Sequence, residues 1–146
     1  MTRHTDAQLA YALFRFSFGV NMAMHGASRI LSGVGQFASK TMSDFTHTVL
    51  PSAIVWPFAV TLPFVELAVG VLLLLGLFTR IGLVVGSLVM AGLAFGTALR
   101  GDWGVLGTQL VYSLVYYVLL TRLSDNSMSV DARLKTAGRP TVARDG

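Results

Sequence analysis

The sequence predicts an all-α membrane protein, an antiparallel four-helix transmembrane bundle with a short amphipathic helix between spans one and two. The 146 residues are 53% hydrophobic and only 12% charged, whereas a soluble domain carries about a quarter charged residues. Apolar runs long enough to cross a bilayer recur along the chain. The later runs are joined by very short polar turns, which favour antiparallel neighbouring helices.

The first span is predicted at residues 9–31, after a polar N-terminus at residues 1–8. This span contains Arg15, Asn21, His25 and Arg29. A signal peptide is the competing interpretation, but its apolar stretch would be short, Asn21 interrupts it, and no small-x-small cleavage site follows. Residues 33–51 then alternate apolar and polar side chains at helical spacing, which predicts an amphipathic helix at the membrane surface.

The second span, residues 53–78, carries Glu66 near its middle and is followed by a tight turn at Thr79 and Arg80. A carboxylate at the centre of a span is costly, so it usually faces the bundle interior and has a partner. The third span is predicted at residues 81–99 and the fourth at 103–121. The fourth span contains Gln109, Tyr112, Tyr116 and Tyr117.

The four-helix domain is predicted to end at residue 123. Residues 124–146 are interpreted as a polar cytoplasmic tail, with one helical turn near residues 130–134. In the third span, glycines recur at a spacing of four residues: Gly82 with Gly86 and Gly92 with Gly96. Such pairs let helices approach closely. We expect them to serve packing within the chain, with homo-oligomer formation as the alternative.

The basic residues predict that both termini are cytoplasmic. If there are four spans, seven Lys and Arg residues fall on the side of the termini and three on the other, and the more basic side is usually cytoplasmic. The seven are Arg3, Arg80, Arg122, Arg133, Lys135, Arg139 and Arg144, and the three are Arg29, Lys40 and Arg100. The net charge of +4 is small, so it indicates orientation in a lipid bilayer and no nucleic-acid partner.

The buried polar residues are the candidates for function. Helical rise places Arg15 about 9 Å into the first span and Glu66 about 18 Å from the cytoplasmic end of the second, so that Arg15, His25 and Glu66 are predicted to line one polar seam. Two readings stay open. An Arg15–Glu66 ion pair could fix helix register only, or the seam could form a pocket that binds a ligand headgroup or relays protons.

A quinone is the ligand that best matches this set, because it needs hydrogen-bond donors at its carbonyls and a proton route. The pocket candidates are Arg15, His25, Arg29, Glu66, Gln109, Tyr112 and Tyr116. A haem is disfavoured because bis-histidine ligation needs two facing histidines and only His25 lies inside a span. With no cysteine and no cluster of ligand residues, the chain is expected to bind no metal. No catalytic residue is assigned.

Three segments carry recognisable motifs. They are RFSFGVNMAMHGASRI at 15–30, PFVELAVGVLLLLGLFTR at 63–80 and DNSMSVDARL at 125–134. Together they resemble the DoxX family, small four-span membrane proteins of bacteria and archaea that include DoxD-like members. The resemblance implies a four-helix membrane bundle in the plasma (inner) membrane. It also implies a link to quinone-coupled oxidoreductases, because DoxD-like proteins are described as subunits of a thiosulfate:quinone oxidoreductase.

Three functional hypotheses follow. The first is a quinone-facing or accessory subunit of a membrane oxidoreductase complex, with a quinone as cofactor, a partner subunit and a sulfur compound as one class of substrate. Without a thiol in the chain, an anion such as thiosulfate would be held by Arg29, Lys40 or Arg100, or by a partner. The second is a non-catalytic scaffold or assembly protein with a structural Arg–Glu pair. The third is a conductor of small solutes or protons.

Overall fold

The computed structural model describes residues 5–137, and all regular structure in that part of the chain is helical. The α-helices are α1 (Asp6–Leu31), α2 (Val34–Asp44), α3 (Ser52–Leu75), α4 (Thr79–Leu99), α5 (Trp103–Thr121) and α6 (Val130–Ala137). A short 3-10 turn, Leu123–Asp125, lies between α5 and α6. The predicted N-terminus up to residue 4 and the tail from residue 138, with Arg3, Arg139 and Arg144, lie outside the described residues.

Three helices are long and apolar enough to cross a membrane: α3, α4 and α5. The all-α class is therefore confirmed for the described chain, and three of the predicted spans correspond to helices with the length and composition of a span. α1 is 26 residues long, but Arg15 and Arg29 reduce its apolar character.

Local chemistry explains where the helices begin and end. Thr5 and Gln8 form a capping box at the start of α1, in which each side chain accepts a hydrogen bond from the other residue's backbone N–H. α3 ends at Gly76, whose φ of 64° is left-handed, a conformation that favours glycine. The turn therefore spans Gly76 to Phe78. The prediction that Thr79 and Arg80 form the turn is wrong, since both residues belong to the first turn of α4.

The closest contact between helices joins α1 and α3. A Cβ placed on Gly26 would lie 2.4 Å from the carbonyl oxygen of Pro63, and one on Gly70 would lie 2.2 Å from the backbone nitrogen of Ala23. These distances leave no room for a side chain, so the two backbones touch. Gly19, earlier in α1, meets residues 70–74 of α3. Later residues of α1 therefore lie beside earlier residues of α3.

The four glycines predicted for packing in α4 each face a side chain of the same chain. A Cβ on Gly86 would lie 2.2 Å from the hydroxyl oxygen of Tyr116. Gly82, Gly92 and Gly96 face Leu72, Phe58 and Phe45, respectively. These glycines accept side chains, whereas the close approach of backbones occurs at the glycines of α1 and α3. The core between the helices is built from buried apolar residues that include Phe18, Met22, Val69, Leu73, Leu83, Met90 and Leu119.

Candidate functional site

A cleft of about 480 Å³ lies between α2, the first halves of α3 and α5, and the second half of α4. Most of its wall is apolar, with Phe37, Phe45, Phe58, Leu62 and Leu93 among the lining residues. We refer to this space as the α2 cleft. Its polar lining residues are Arg29, Lys40, Thr41, Asp44, Thr97, Arg100 and Gln109. Mostly apolar walls with a few polar groups are typical of small-molecule sites.

A buried ion pair lies at one side of the α2 cleft. Arg29 Nη1 donates to Glu66 Oε2, and the Glu66 side chain is only 3% exposed. The Arg29 guanidinium also stacks 4.6 Å from the ring centroid of Phe37, a cation–π contact. Arg29 therefore provides the positive charge that a buried carboxylate needs. Arg29 also lines the α2 cleft.

An Arg15–Glu66 pair, one of the two readings that the sequence left open, is not formed, because Arg29 is the partner of Glu66. Gly26 lies beside Pro63 and Leu67, which brings the next turn of α1, with Arg29, within reach of Glu66. Arg15 precedes Gly26 by eleven residues, or about 16 Å of helix. Arg15 therefore lies beside the C-terminal end of α3 and not beside its middle.

Arg15 instead ties the end of α3 to the chain that follows α5. Its Nη1 donates to the carbonyl oxygens of Leu73 and Leu74, the latter at 3.3 Å, and its Nη2 donates to that of Met128 at 3.0 Å. The side chain is buried. A cation at a helix C-terminus satisfies carbonyl groups that lack intrahelical partners and complements the helix dipole. The predicted seam of Arg15, His25 and Glu66 is thus not continuous, since Arg15 lies at the end of α3 and Glu66 lies nearer its middle.

The aromatic candidates belong to the interior between α1 and α5. The His25 ring lies edge-on to Tyr112, with centroids 6.2 Å apart, and Tyr112 lies 5.9 Å from Phe18. Tyr116 is fully buried, its ring is 4.8 Å from Phe18, and its hydroxyl has no hydrogen-bond partner among the described residues. None of the three candidates lines the α2 cleft. Of the seven predicted site residues, Arg29 and Gln109 line it directly, and Glu66 is linked to it through Arg29.

The charges around the α2 cleft balance. Arg100 pairs with Asp44 at 3.1 Å and with Asp102 at 3.4 Å, while the Arg29 guanidinium is neutralised by its buried partner. Lys40 has no ion-pair partner among residues 5–137. Gln109 donates through Nε2 to the Thr97 hydroxyl at 3.0 Å, but its Oε1 is buried without a partner, as is Nε of Arg100. Two residues that line the cleft thus have one unused acceptor and one unused donor, and neither atom is accessible to solvent in this structure.

A second polar cluster lies at the other end of the protein, and sequence reasoning missed it. The Asp131 carboxylate accepts hydrogen bonds from the backbone N–H groups of Phe78 and Thr79, both at 2.8 Å. The Asp131 N–H donates to the carbonyl of Gly76 at 2.9 Å, and Asn126 donates to the Thr79 hydroxyl at 3.0 Å. We call residues 126–131 the C-terminal clamp, because they hold the turn between α3 and α4.

The Asp131 contacts supply a cap that α4 lacks in its own sequence. Partial burial acts to raise the pKa of the Asp131 carboxyl, but the hydrogen bonds from Thr79 and Phe78, together with nearby Lys135, hold the pKa below its ordinary value. The interpretation of residues 124–137 as part of a polar tail therefore needs correction. Ser129 is buried, and the clamp is packed against the helices. The predicted helical turn is the longer helix α6.

A family model described as DoxX matches residues 10–99 of the chain. The match covers α1 to α4, including the buried Arg29–Glu66 pair, and thereby confirms the resemblance seen in the first two motifs. The third motif, with Asn126 and Asp131, lies beyond the match and forms the C-terminal clamp. No curated protein and no solved structure matches the chain.

Proposed function

The chain belongs to the DoxX family of membrane proteins, and we propose that it is a quinone-facing subunit of a membrane oxidoreductase complex that holds the quinone headgroup in the α2 cleft. The observation that carries this proposal is the combination of an apolar cleft with one unused hydrogen-bond donor and one unused acceptor on side chains that line it. A bound quinone would supply two-electron redox chemistry coupled to protons.

The balance of charge favours a neutral headgroup. Three basic residues at the cleft, Arg29, Lys40 and Arg100, are offset by Glu66, Asp44 and Asp102. These six charges sum to zero, which favours a neutral ligand, although Lys40 forms no ion pair within residues 5–137. A quinone carbonyl would accept from Arg100 Nε, and a quinol hydroxyl would donate to Gln109 Oε1, once these atoms turn toward the cleft. The cleft volume of about 480 Å³ lies within the usual range for ligand sites, about 300–1,000 Å³.

The topology that fits this role is the antiparallel four-helix transmembrane bundle, with α1 as its first span and both termini in the cytoplasm. Arg15 and Arg29 do not argue against insertion of α1, because each finds partners inside the protein. The excess of Lys and Arg on the side of the termini supports the orientation. The α2 cleft then faces the outer side of a bacterial or archaeal plasma membrane, and the C-terminal clamp faces the cytoplasm.

The proposal is tested by binding of a short-tailed benzoquinone to the purified protein in lipid nanodiscs. Quenching of tryptophan fluorescence monitors the binding. We expect Gln109→Leu to weaken binding about tenfold, since one side of the headgroup loses its polar partner. Tyr117→Phe is the matched control, because Tyr117 lies on the same helix but is 64% exposed and does not line the cleft. Equal affinity of both variants, or no saturable binding, would argue against a quinone site in the cleft.

A scaffold or assembly role is the second candidate, favoured by the fact that Arg29–Glu66 and the C-terminal clamp are satisfied within the chain. Such contacts can serve stability alone. Purification in a mild detergent, with mass spectrometry of co-eluting protein and lipid, separates the two roles. A stoichiometric quinone together with an oxidoreductase subunit supports the first role. A partner protein without quinone supports the second.

A further inference from the structure

The outward side of α1 carries a stripe of four exposed side chains, of which three are polar. Ser17, Asn21, Met24 and Ser28 follow one another at spacings of four, three and four residues, and all four are exposed. This spacing places them on one face of the helix, as in the seam of a coiled coil. The outward side of α4 is different in character, with Leu88 as its most exposed large apolar residue at 68%.

Asn21 is the member of this stripe that most needs a partner. Within residues 5–137 its side chain makes no hydrogen bond, whereas the amide of Gln109 in α5 donates to Thr97. Helical rise puts Asn21 about 22 Å from the first residue of α1 and about 15 Å from the last, so its short side chain reaches neither end. If α1 is a span, as proposed above, this amide lies in hydrocarbon, where unsatisfied polar groups are strongly disfavoured.

We propose that a second copy of the chain satisfies Asn21, and that the exposed stripe of α1 is the interface of a parallel homodimer. A carboxamide contains both a donor and an acceptor. Two copies inserted with the same topology present Asn21 at equal depth, so a twofold axis normal to the membrane brings the two identical amides together. Ser17 and Ser28 are small, which lets the two α1 helices approach closely.

Disulfide cross-linking in native membranes tests this interface cleanly, because the chain contains no cysteine. Met24→Cys and, separately, Ser17→Cys are oxidised with copper phenanthroline. We expect each to form a covalent dimer of twice the 15.7 kDa chain mass. The matched control, Leu88→Cys, is equally exposed to lipid on α4 and should stay monomeric.

A second variant tests the role of the amide itself. In the Met24→Cys background, Asn21→Leu should lower the cross-linked fraction about three- to tenfold, the effect of one interhelical hydrogen bond in a membrane. The total amount of folded protein should not change, because Asn21 contacts no polar group within the described chain. An unchanged cross-linked fraction, equal cross-linking of Leu88→Cys, or a product of another mass would overturn the homodimer.

A separate labelling experiment tests whether α1 lies in the bilayer, on which the interface depends. Met24→Cys should resist a water-soluble maleimide in intact membranes. Rapid labelling of Met24→Cys would show that α1 does not lie in the bilayer, and would overturn the interface together with that topology. The quinone titration of the α2 cleft is separate from both results, because the outward stripe of α1 does not line the cleft.

Discussion

Replacement of Arg29 by methionine removes the partner of a carboxylate that is 3% exposed, while the Arg29 side chain is itself 26% exposed. Breaking a fully buried ion pair costs about 3–5 kcal/mol, because one charge remains unpaired. The partial exposure of Arg29 lets solvent screen the site, so we expect about 2–3 kcal/mol for Arg29→Met, of which roughly 0.5 kcal/mol is the lost stacking on Phe37.

Glu66→Gln keeps the shape of the side chain and removes its charge, so we expect a smaller loss of about 1–1.5 kcal/mol. In the double variant no uncompensated charge remains, and the combined loss should be smaller than the sum of the single losses by about 1–2 kcal/mol. Asp44→Asn is the control. It disrupts an ion pair at the same cleft whose acid is 41% exposed, and it should cost no more than about 1 kcal/mol.

The free energy of unfolding is measured for the four variants and for the wild type in mixed detergent micelles. Circular dichroism monitors unfolding as the SDS content is increased. Strict additivity of Arg29→Met and Glu66→Gln would refute the coupling between the two side chains. The assignment of Arg29 as the partner of Glu66 would also fail if Arg29→Met cost no more than Asp44→Asn.

Three further predictions concern packing and the C-terminal clamp. Gly26→Val should cost about 3 kcal/mol or more and lower abundance in the membrane, because it separates two touching backbones, whereas Gly92→Ala should be tolerated, since its Cβ would meet Phe58 at an ordinary 3.7 Å. Tyr116→Phe should leave the free energy of unfolding within about 1 kcal/mol of wild type, because the buried hydroxyl has no partner among the described residues. Asp131→Asn should speed amide hydrogen exchange at the start of α4 at neutral pH. This difference from wild type should shrink as the pH falls from about 4, the ordinary pKa of an Asp side chain, to below the lowered pKa of Asp131. Protonation of the wild-type carboxyl then removes the stabilising charge.

The helices could be predicted from the sequence because hydropathy and turn residues act locally. The fourth predicted span, 103–121, coincides with α5, and the second and third differ from α3 and α4 by at most three residues at either end. The amphipathic helix was predicted too long, at 33–51, whereas α2 ends at Asp44. The helical spacing of apolar residues continues beyond Asp44, but the backbone there is not helical. Apolar residues of that stretch, such as Phe45, instead pack against other helices.

The polar partners could not be predicted in the same way, because they depend on contacts between distant segments. Which arginine meets Glu66 is decided by the register of α1 on α3, which the glycine contacts at Gly26 and Gly70 fix. Asp131 caps a helix that begins 52 residues earlier in the chain. One signal for the clamp was available: α4 begins without a side-chain cap of its own, so a carboxylate from elsewhere in the chain could be sought.

The most direct test of the central claim is to map where a photoreactive azidoquinone attaches to the purified protein, by mass spectrometry of the labelled peptides. A quinone headgroup in the α2 cleft predicts labels within residues 37–45 of α2 and its following turn and within residues 92–100 of α4, with competition by unlabelled quinone. Labels confined to the interior around His25 and Tyr112, or labels that unlabelled quinone does not reduce, would contradict the assignment of the cleft.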